Sequence, residues 1–252
     1  MRFLLAMLLT AIGWGGEPVS IRFRAVAGDA PLLCGQKYGG IGVTGSTITP
    51  RDFRFYIHDL QLINEQGNPV PVELDQDDKW QTGNVTLLDF ENATGSCRNG
   101  SPDMHTAATG QIPPGKYRGL RFTLGVPVDK NHTDLMAMPS PLNLTALSWV
   151  WNAGRKFARL DFSSTGNPRG YLVHLGSTGC VDGRCASPNR FEIALPTFDP
   201  SRDTVLADLA ALLKNVNVDE PAKDGAGCMS SPETPACGPI LANFKTAFFR
   251  LP

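Results

Sequence analysis

The sequence predicts an all-β fold: a β-sandwich or partly open barrel of short antiparallel strands, with long disulfide-stapled loops and one helix near the C-terminus. Three observations carry that expectation. Glycine and proline are plentiful, 26 and 20 of 252 residues, while charged residues are only 19%, a composition suited to many short strands joined by turns. Apolar residues alternate with polar ones in several short segments, the two-residue period of a half-buried strand. Six cysteines follow an apolar N-terminal stretch, and an even number in that setting points to disulfides formed in an oxidising compartment.

Residues 1–16 (MRFLLAMLLTAIGWGG) carry one positive charge, a short apolar run and then small residues, the pattern of a cleaved secretory signal peptide too short to span a bilayer. Residues 17–252, with 42% hydrophobic residues in the chain as a whole, are expected to form a single domain. The first strand is read at 19–27, with Ile21, Phe23 and Ala25 on one face. A long loop holding Cys34 follows, then a strand over 51–64. Its alternation changes phase at His58-Asp59: Phe53, Phe55 and Ile57 share one face, Leu60 and Leu62 the other. A β-bulge produces such a slip. Short strands are read at 70–74 and 84–89, flanking Trp80, then a polar loop over 95–110 with Cys97, Met104 and His105.

Residues 117–125 alternate cleanly. Residues 126–147 form a long connection with Pro127, Pro139 and Pro141, of a length that is usually functional or disordered. Residues 148–161 (SWVWNAGRKFARLD) read as an extended segment with Trp149 and Trp151 on one face, and Gly154 as a bulge or close backbone approach. Residues 171–180 (YLVHLGSTGC) carry His174 on a strand, and 191–195 is the last clear core strand. The helix is placed at 202–214, capped by Asp199 or Ser201, with Leu206, Leu209, Leu213 and Val216 at helical spacing. The tail from 217 is rich in proline and glycine.

A net charge of −1 gives no basic footprint for nucleic acid. Local spacing pairs Cys180 with Cys185 and Cys228 with Cys237, leaving Cys34 for Cys97. No C-x-x-C pair exists to favour thiolate ligands. There is no G-x-S-x-G, H-E-x-x-H or phosphate-cradling glycine loop, and Ser177 and Thr178, near His174, have no visible acid partner. The chain reads as a binding protein, not an enzyme. Imidazole suits copper and zinc, yet the four histidines (58, 105, 132 and 174) include no i, i+2 or i, i+4 pair. Met136 and Met138 are soft donors or gap-fillers. Asp134 is placed to orient His132, and Arg155 reads as a surface charge. An intact indole has no in-plane lone pair, so two tryptophans on one face are by default core or a stacking surface.

The motifs NHTD (131–134), PSPLNL (139–144), WVW-x-x-G-x-KF-x-R-x-D (149–161) and HLGSTGC (174–180), with FYI-x-D, WQTGNVTLLDFENATGSC, YRGLRFTLGVP and a late Cys pair, resemble the MbnP-type copper-binding proteins, also called metallo-mystery-pair four-Cys-motif proteins. The resemblance runs from about residue 19 to the C-terminus. Arg155 departs from the family's usual Tyr, and His58 from its small polar residue. The resemblance implies a bacterial periplasmic or cell-surface protein that binds copper, as Cu(I), in acquisition or homeostasis. It also implies ligands from His132 and His174, with His58 a further candidate, and one of Trp149 or Trp151 oxidised to kynurenine by a di-haem, cytochrome c peroxidase-like (MbnH-type) partner. Opening the indole leaves an aryl amine that can join two imidazoles. No membrane span is expected, and the chain is expected to be a monomer. The alternative from another class is a secreted β-sandwich module that stacks carbohydrate or another small ligand on Trp80, Trp149 and Trp151.

Overall fold

In the computed structural model, residues 15–98, 100–150, 154–220 and 227–252 are described; the first fourteen residues of the expected 1–16 signal peptide, and Trp151, lie outside them. The spine of the molecule is one long strand, Ser46–Asn64. Its residues 48–55 pair antiparallel with Ala158–Ser164, and 57–64 with Tyr117–Leu124. The two partners meet end to end at Tyr56, whose N–H donates to the Phe157 carbonyl (2.8 Å) while its own carbonyl accepts from Gly125 N (2.8 Å). Both backbone groups of one residue in an antiparallel ladder face the same edge. Tyr117–Leu124 and Ala158–Ser164 are therefore two halves of one line, interrupted by the excursion 126–157. Val85–Asp89 covers residues 54–58 of the spine from the other edge.

On the edge that the two halves share, the sheet continues beyond Tyr117–Leu124 to Phe191–Leu195, and beyond Ala158–Ser164 to Tyr171–Leu175 and Gly227–Cys228. A second, mixed sheet stacks Phe249–Arg250, Thr204–Asp208, Glu17–Ala27, Ala107–Ile112 and Glu73–Leu74. Its central strand runs parallel to Thr204–Asp208 and antiparallel to Ala107–Ile112. The core lies between the sheets. Ile21, Phe23 and Ala25 are buried, and Phe23 meets Phe55 and Phe122 edge-on at 6.3 and 5.7 Å. Phe249 closes the cluster against Phe55 and Phe122 at 5.4 and 5.0 Å. The sheets are not closed into a barrel.

The phase change at His58-Asp59 is a true bulge. Thr123 faces His58 but Arg121 faces Gln61, so the spine carries one extra residue, and Asp59 takes φ 54°, a conformation Asp tolerates. Three disulfides join Cys34–Cys97, Cys180–Cys185 and Cys228–Cys237, as the spacing predicts. With no helix among the described residues long and apolar enough to cross a membrane, they fit an extracellular or periplasmic protein.

Three expectations are corrected. The stretch read as a helix, 202–214, is the strand Thr204–Asp208 followed by one helical turn, Leu209–Leu212, capped by Asp208 and not by Asp199 or Ser201. Val205 to Ala207 complete the ladder beside Phe23 to Ala25, and a short apolar run cannot be told from a helix by period alone. The C-terminal helix is Cys237–Thr246, in the tail, with Ile240 and Phe244 buried. Ala107–Ile112 is a strand inside the segment read as loop. Its small residues hide the pattern, yet Gly110 is required there, because a Cβ would sit 2.3 Å from the Glu73 carbonyl oxygen. Finally, the 148–161 segment is extended only from Ala158; Trp149 sits in a tight return closed by a Ser148–Arg155 bridge and Trp149 N–H to Gly154 O at 2.9 Å.

Phe55 is fully buried at the centre of the aromatic cluster, so Phe55→Ala should lower unfolding free energy by about 3–5 kcal/mol. Denaturant titration reads this directly, and a loss below about 1 kcal/mol would place the core elsewhere.

Candidate metal centre

The excursion 126–157 carries most of the candidate ligands and is tied down from several sides. Tyr56, fully buried, reaches into its middle and donates its hydroxyl to Pro141 O at 2.6 Å. Arg155, expected as a surface charge, is 2% exposed. Its Nε donates to Leu142 O (2.8 Å) and Nη1 to Asn131 O (2.7 Å), Lys130 O and, at 3.4 Å, Thr133 O, so one guanidinium gathers four carbonyls of the excursion. A planar fork of five donors does this where Tyr could not.

His132 ends the single turn Val128–Asn131. The Arg155 N–H donates to Asn131 Oδ1 at 3.0 Å, which fixes the amide so that Asn131 Nδ2 faces His132 Nε2 at 2.8 Å. An amide nitrogen only donates. His132 Nε2 therefore accepts, with its lone pair directed at the Asn131 amide, which a metal would have to displace. Asn131, not Asp134, orients it; the Asp134 carboxylate is spent on Met136 N at 2.9 Å. Nε2 also lies 3.4 Å from Cys185 Sγ. Among the described residues, one group of three potential ligands could enclose an ion: His132, Cys180 and Cys185, all donor atoms within 4.8 Å of one another. Sequence reasoning assigned those cysteines to a structural disulfide alone. Met136 is 82% exposed, while Met138 packs on the core.

His174 is buried on Tyr171–Leu175 and donates Nε2–H to Asp161 Oδ1 at 2.9 Å. A carboxylate holding Nε2 orients the ring and leaves Nδ1 as the nitrogen a metal could take, the usual support of a metal-binding imidazole. Burial alone would raise the Asp161 pKa, but the bonds from His174 and Arg159 outweigh it and hold the carboxyl below its ordinary value. Arg159 Nε is 2.7 Å from Asp161 and 3.2 Å from Asp52, and Arg54 Nε donates to Asp52 at 2.8 Å. This is a buried charge chain running from the spine to His174. His58 donates Nδ1–H to Gly125 O at 2.9 Å and keeps Nε2 3.7 Å from Asp59; desolvation lowers its pKa. His105 donates to Leu87 O and stacks on Trp80.

Trp149 is 4% exposed. Its six-membered ring lies against Gly176, two residues beyond His174, where a Cβ would stand 2.4 Å from Cζ3. The structure thus brings His132 to the Cys180–Cys185 hairpin and Trp149 to the turn after His174. His174 itself stands outside the group of three, and Trp151 lies outside the described residues. The ring nitrogens a metal could take are His132 Nε2 and His174 Nδ1, imidazole donors suited to a borderline or soft cation.

The MbnP family model matches residues 16–230. The chain belongs to the MbnP family. A solved structure, MbnP from Methylosinus trichosporium, is similar with a TM-score of 0.82 at 28% identity, covering 94% of this chain and 98% of that one. No curated protein matches the chain. In this member of the MbnP family, Asn131, Arg155, Asp161 and Gly176 contact the candidate residues, and the sequence reading did not assign them that place. Only the Asn131–His132 adjacency and the Gly after His174-Leu175 offered a signal.

Two measurements follow from this geometry. Gly176→Ala should displace the Trp149 ring, seen as a red-shifted, more quenchable tryptophan emission with the fold retained; an unchanged spectrum would mean the ring does not rest there. The second concerns Asp89, buried beside Arg54, which Asp52 and Glu91 also claim. Desolvation pushes its pKa up to about 8 against the pull of Arg54. A carboxyl raised above its unfolded value contributes stability below about pH 4 that is lost as pH rises towards 8. Asp89→Asn should lack that loss, so the variant gains on the wild type between pH 4 and 8 in urea titrations, and parallel curves would refute the assignment.

Proposed function

We propose that this chain is a periplasmic copper-binding protein with a mononuclear site built from histidines and an oxidised tryptophan. His132 offers Nε2 and His174 offers Nδ1, with His58 Nε2 a further candidate. Trp149 or Trp151, converted to kynurenine by a di-haem, cytochrome c peroxidase-like partner, adds an aryl amine. A set of three neutral nitrogens suits Cu(I), held for acquisition or homeostasis. MbnP-family membership supports a metal-related role in a methanobactin system. The observation that carries the reading is the pair of imidazoles held in place by Asn131 and by Asp161, with Trp149 packed on Gly176, two residues past the second.

The protein acts as a binder and not as a catalyst. Ser177 Oγ donates to Pro188 O at 2.8 Å and accepts from Arg190 Nη1 at 3.2 Å. The stacking-platform alternative is disfavoured, since Trp149 is buried and the Trp80 ring already holds His105 at 5.4 Å and Lys79 at 5.1 Å.

Peptide mass spectrometry across residues 145–156, on protein from the native periplasm, should show kynurenine at Trp149 or Trp151. Copper should approach one ion per chain and fall at least tenfold in occupancy in His132→Ala and His174→Ala. Two intact tryptophans in a host expressing the di-haem partner would sink the modification. Unchanged copper in both histidine variants would sink the ligand set.

A further inference from the structure

We infer that His132, Cys180 and Cys185 form a second, reduction-gated site for a soft thiophilic cation, with Cu(I) the foremost occupant. It shares His132 with the copper reading but needs no tryptophan chemistry. Three observations carry it.

The first is proximity. The three donor atoms lie within 4.8 Å of one another, with His132 Nε2 3.4 Å from Cys185 Sγ. Nitrogen and sulfur ligands on one tetrahedral ion stand about 3.5 Å apart, from bonds of ~2.0 and ~2.3 Å. The His132 nitrogen is thus at ligand spacing already, and a cation there has only the Asn131 N–H to displace from its lone pair.

The second is a scaffold that outlasts the sulfur–sulfur bond. Cys180 and Cys185 are directly opposite in the hairpin Thr178–Val181/Arg184–Ser187. Its two-residue turn, Asp182-Gly183, has φ of 48° and 77°, the type I′ geometry matched to the strand twist. The hairpin base is held independently, by Asn189 Nδ2 to Gly176 O and Ser230 O and by Ser177 Oγ to Pro188 O. The disulfide closes a five-residue separation, where cross-linking removes little chain entropy, so both side chains stay on one face once it opens. Sulfur ligands on one ion need about 3.7 Å between them, a separation that side-chain rotation on neighbouring strands supplies.

The third is access. Cys180, Cys185 and His132 are all half-exposed, whereas Cys97, Cys228 and Cys237 are buried. Of the three disulfides, this one presents both partners to an attacking thiolate.

The chemistry balances with a dithiol carrier as reductant. Its thiolate attacks one sulfur, the Cys180–Cys185 bond breaks, and a mixed disulfide forms. The carrier's second thiol then releases the protein, leaving the carrier oxidised to its disulfide and two thiols on the protein. Binding of the cation by both thiolates frees two protons to solvent.

The test uses the full mature chain produced without the di-haem partner, so both tryptophans are intact and the proposed kynurenine site is absent. Under anaerobic conditions the protein is treated with a phosphine reductant and titrated with Cu(I) alone. Reduction should release two alkylatable thiols at Cys180 and Cys185. It should also add one Cu(I) per chain with a thiolate-to-metal charge-transfer band, and that Cu(I) should protect both thiols. Cys180→Ser/Cys185→Ser should abolish the added ion, and His132→Ala should weaken it at least tenfold, with unfolding curves showing each variant folded. An intact Cys180–Cys185 bond under the reductant, no added Cu(I), or binding indifferent to the serine pair would each overturn the proposal. None of these results touches the kynurenine reading, which stands or falls on the native peptide.

Discussion

The backbone of Tyr56 is where the molecule divides its labour. One peptide N–H and one carbonyl receive, side by side, the last residue of one strand and the first of its continuation, and the tyrosine hydroxyl then reaches Pro141 in the segment between them. Three hydrogen bonds from a fully buried residue thus clamp both ends and the middle of a long irregular stretch. A buried donor or acceptor left unmade costs about 1–3 kcal/mol, so the clamp sets where the excursion lies. Arg155 completes the job from within by collecting carbonyls at 130, 131, 133 and 142.

Beneath the excursion, the outward face of the spine is charged rather than apolar. Asp52, Arg54, Arg159 and Asp161 are all shielded from solvent and joined in sequence to His174. Buried ion pairs seldom add net stability over apolar packing. What they do here is fix the direction of one imidazole. His132 is fixed by a different device, an amide whose own orientation is set by the Arg155 backbone. Each ring is held by a neighbour that a third residue fixes in turn, Asn131 by the Arg155 backbone and Asp161 by Arg159.

The strands with bulky alternating residues could be read from the sequence, as could the bulge at Asp59, because a change of phase in Phe53-Phe55-Ile57 to Leu60-Leu62 has only one simple structural meaning. All three disulfides were legible from spacing. Ala107–Ile112 was not, since alanine, threonine and glycine carry no hydrophobic period, and Gly110 is there for a backbone approach seen only in three dimensions. The 204–208 strand was hidden by leucines that fit a helix equally well; long-range pairing with the first strand decides it. At the site, His132 and His174 stood out through the motifs around them. The nearness of His132 to the 180–185 hairpin could not be read, because it depends on a contact across about fifty residues, and neither could the burial of Arg155, which runs against the ordinary behaviour of arginine.

The collinearity of Tyr117–Leu124 and Ala158–Ser164 has one more consequence. Since both halves keep register with the same spine whatever lies between them, the interval 126–157 can lengthen, shorten or exchange its residues without moving a single rung of the ladder. The cost of closing a longer loop grows only with the logarithm of its length. The sandwich is thus a fixed chassis and the interval an exchangeable cartridge. Relatives built on the same chassis are free to present different donor sets at the same address.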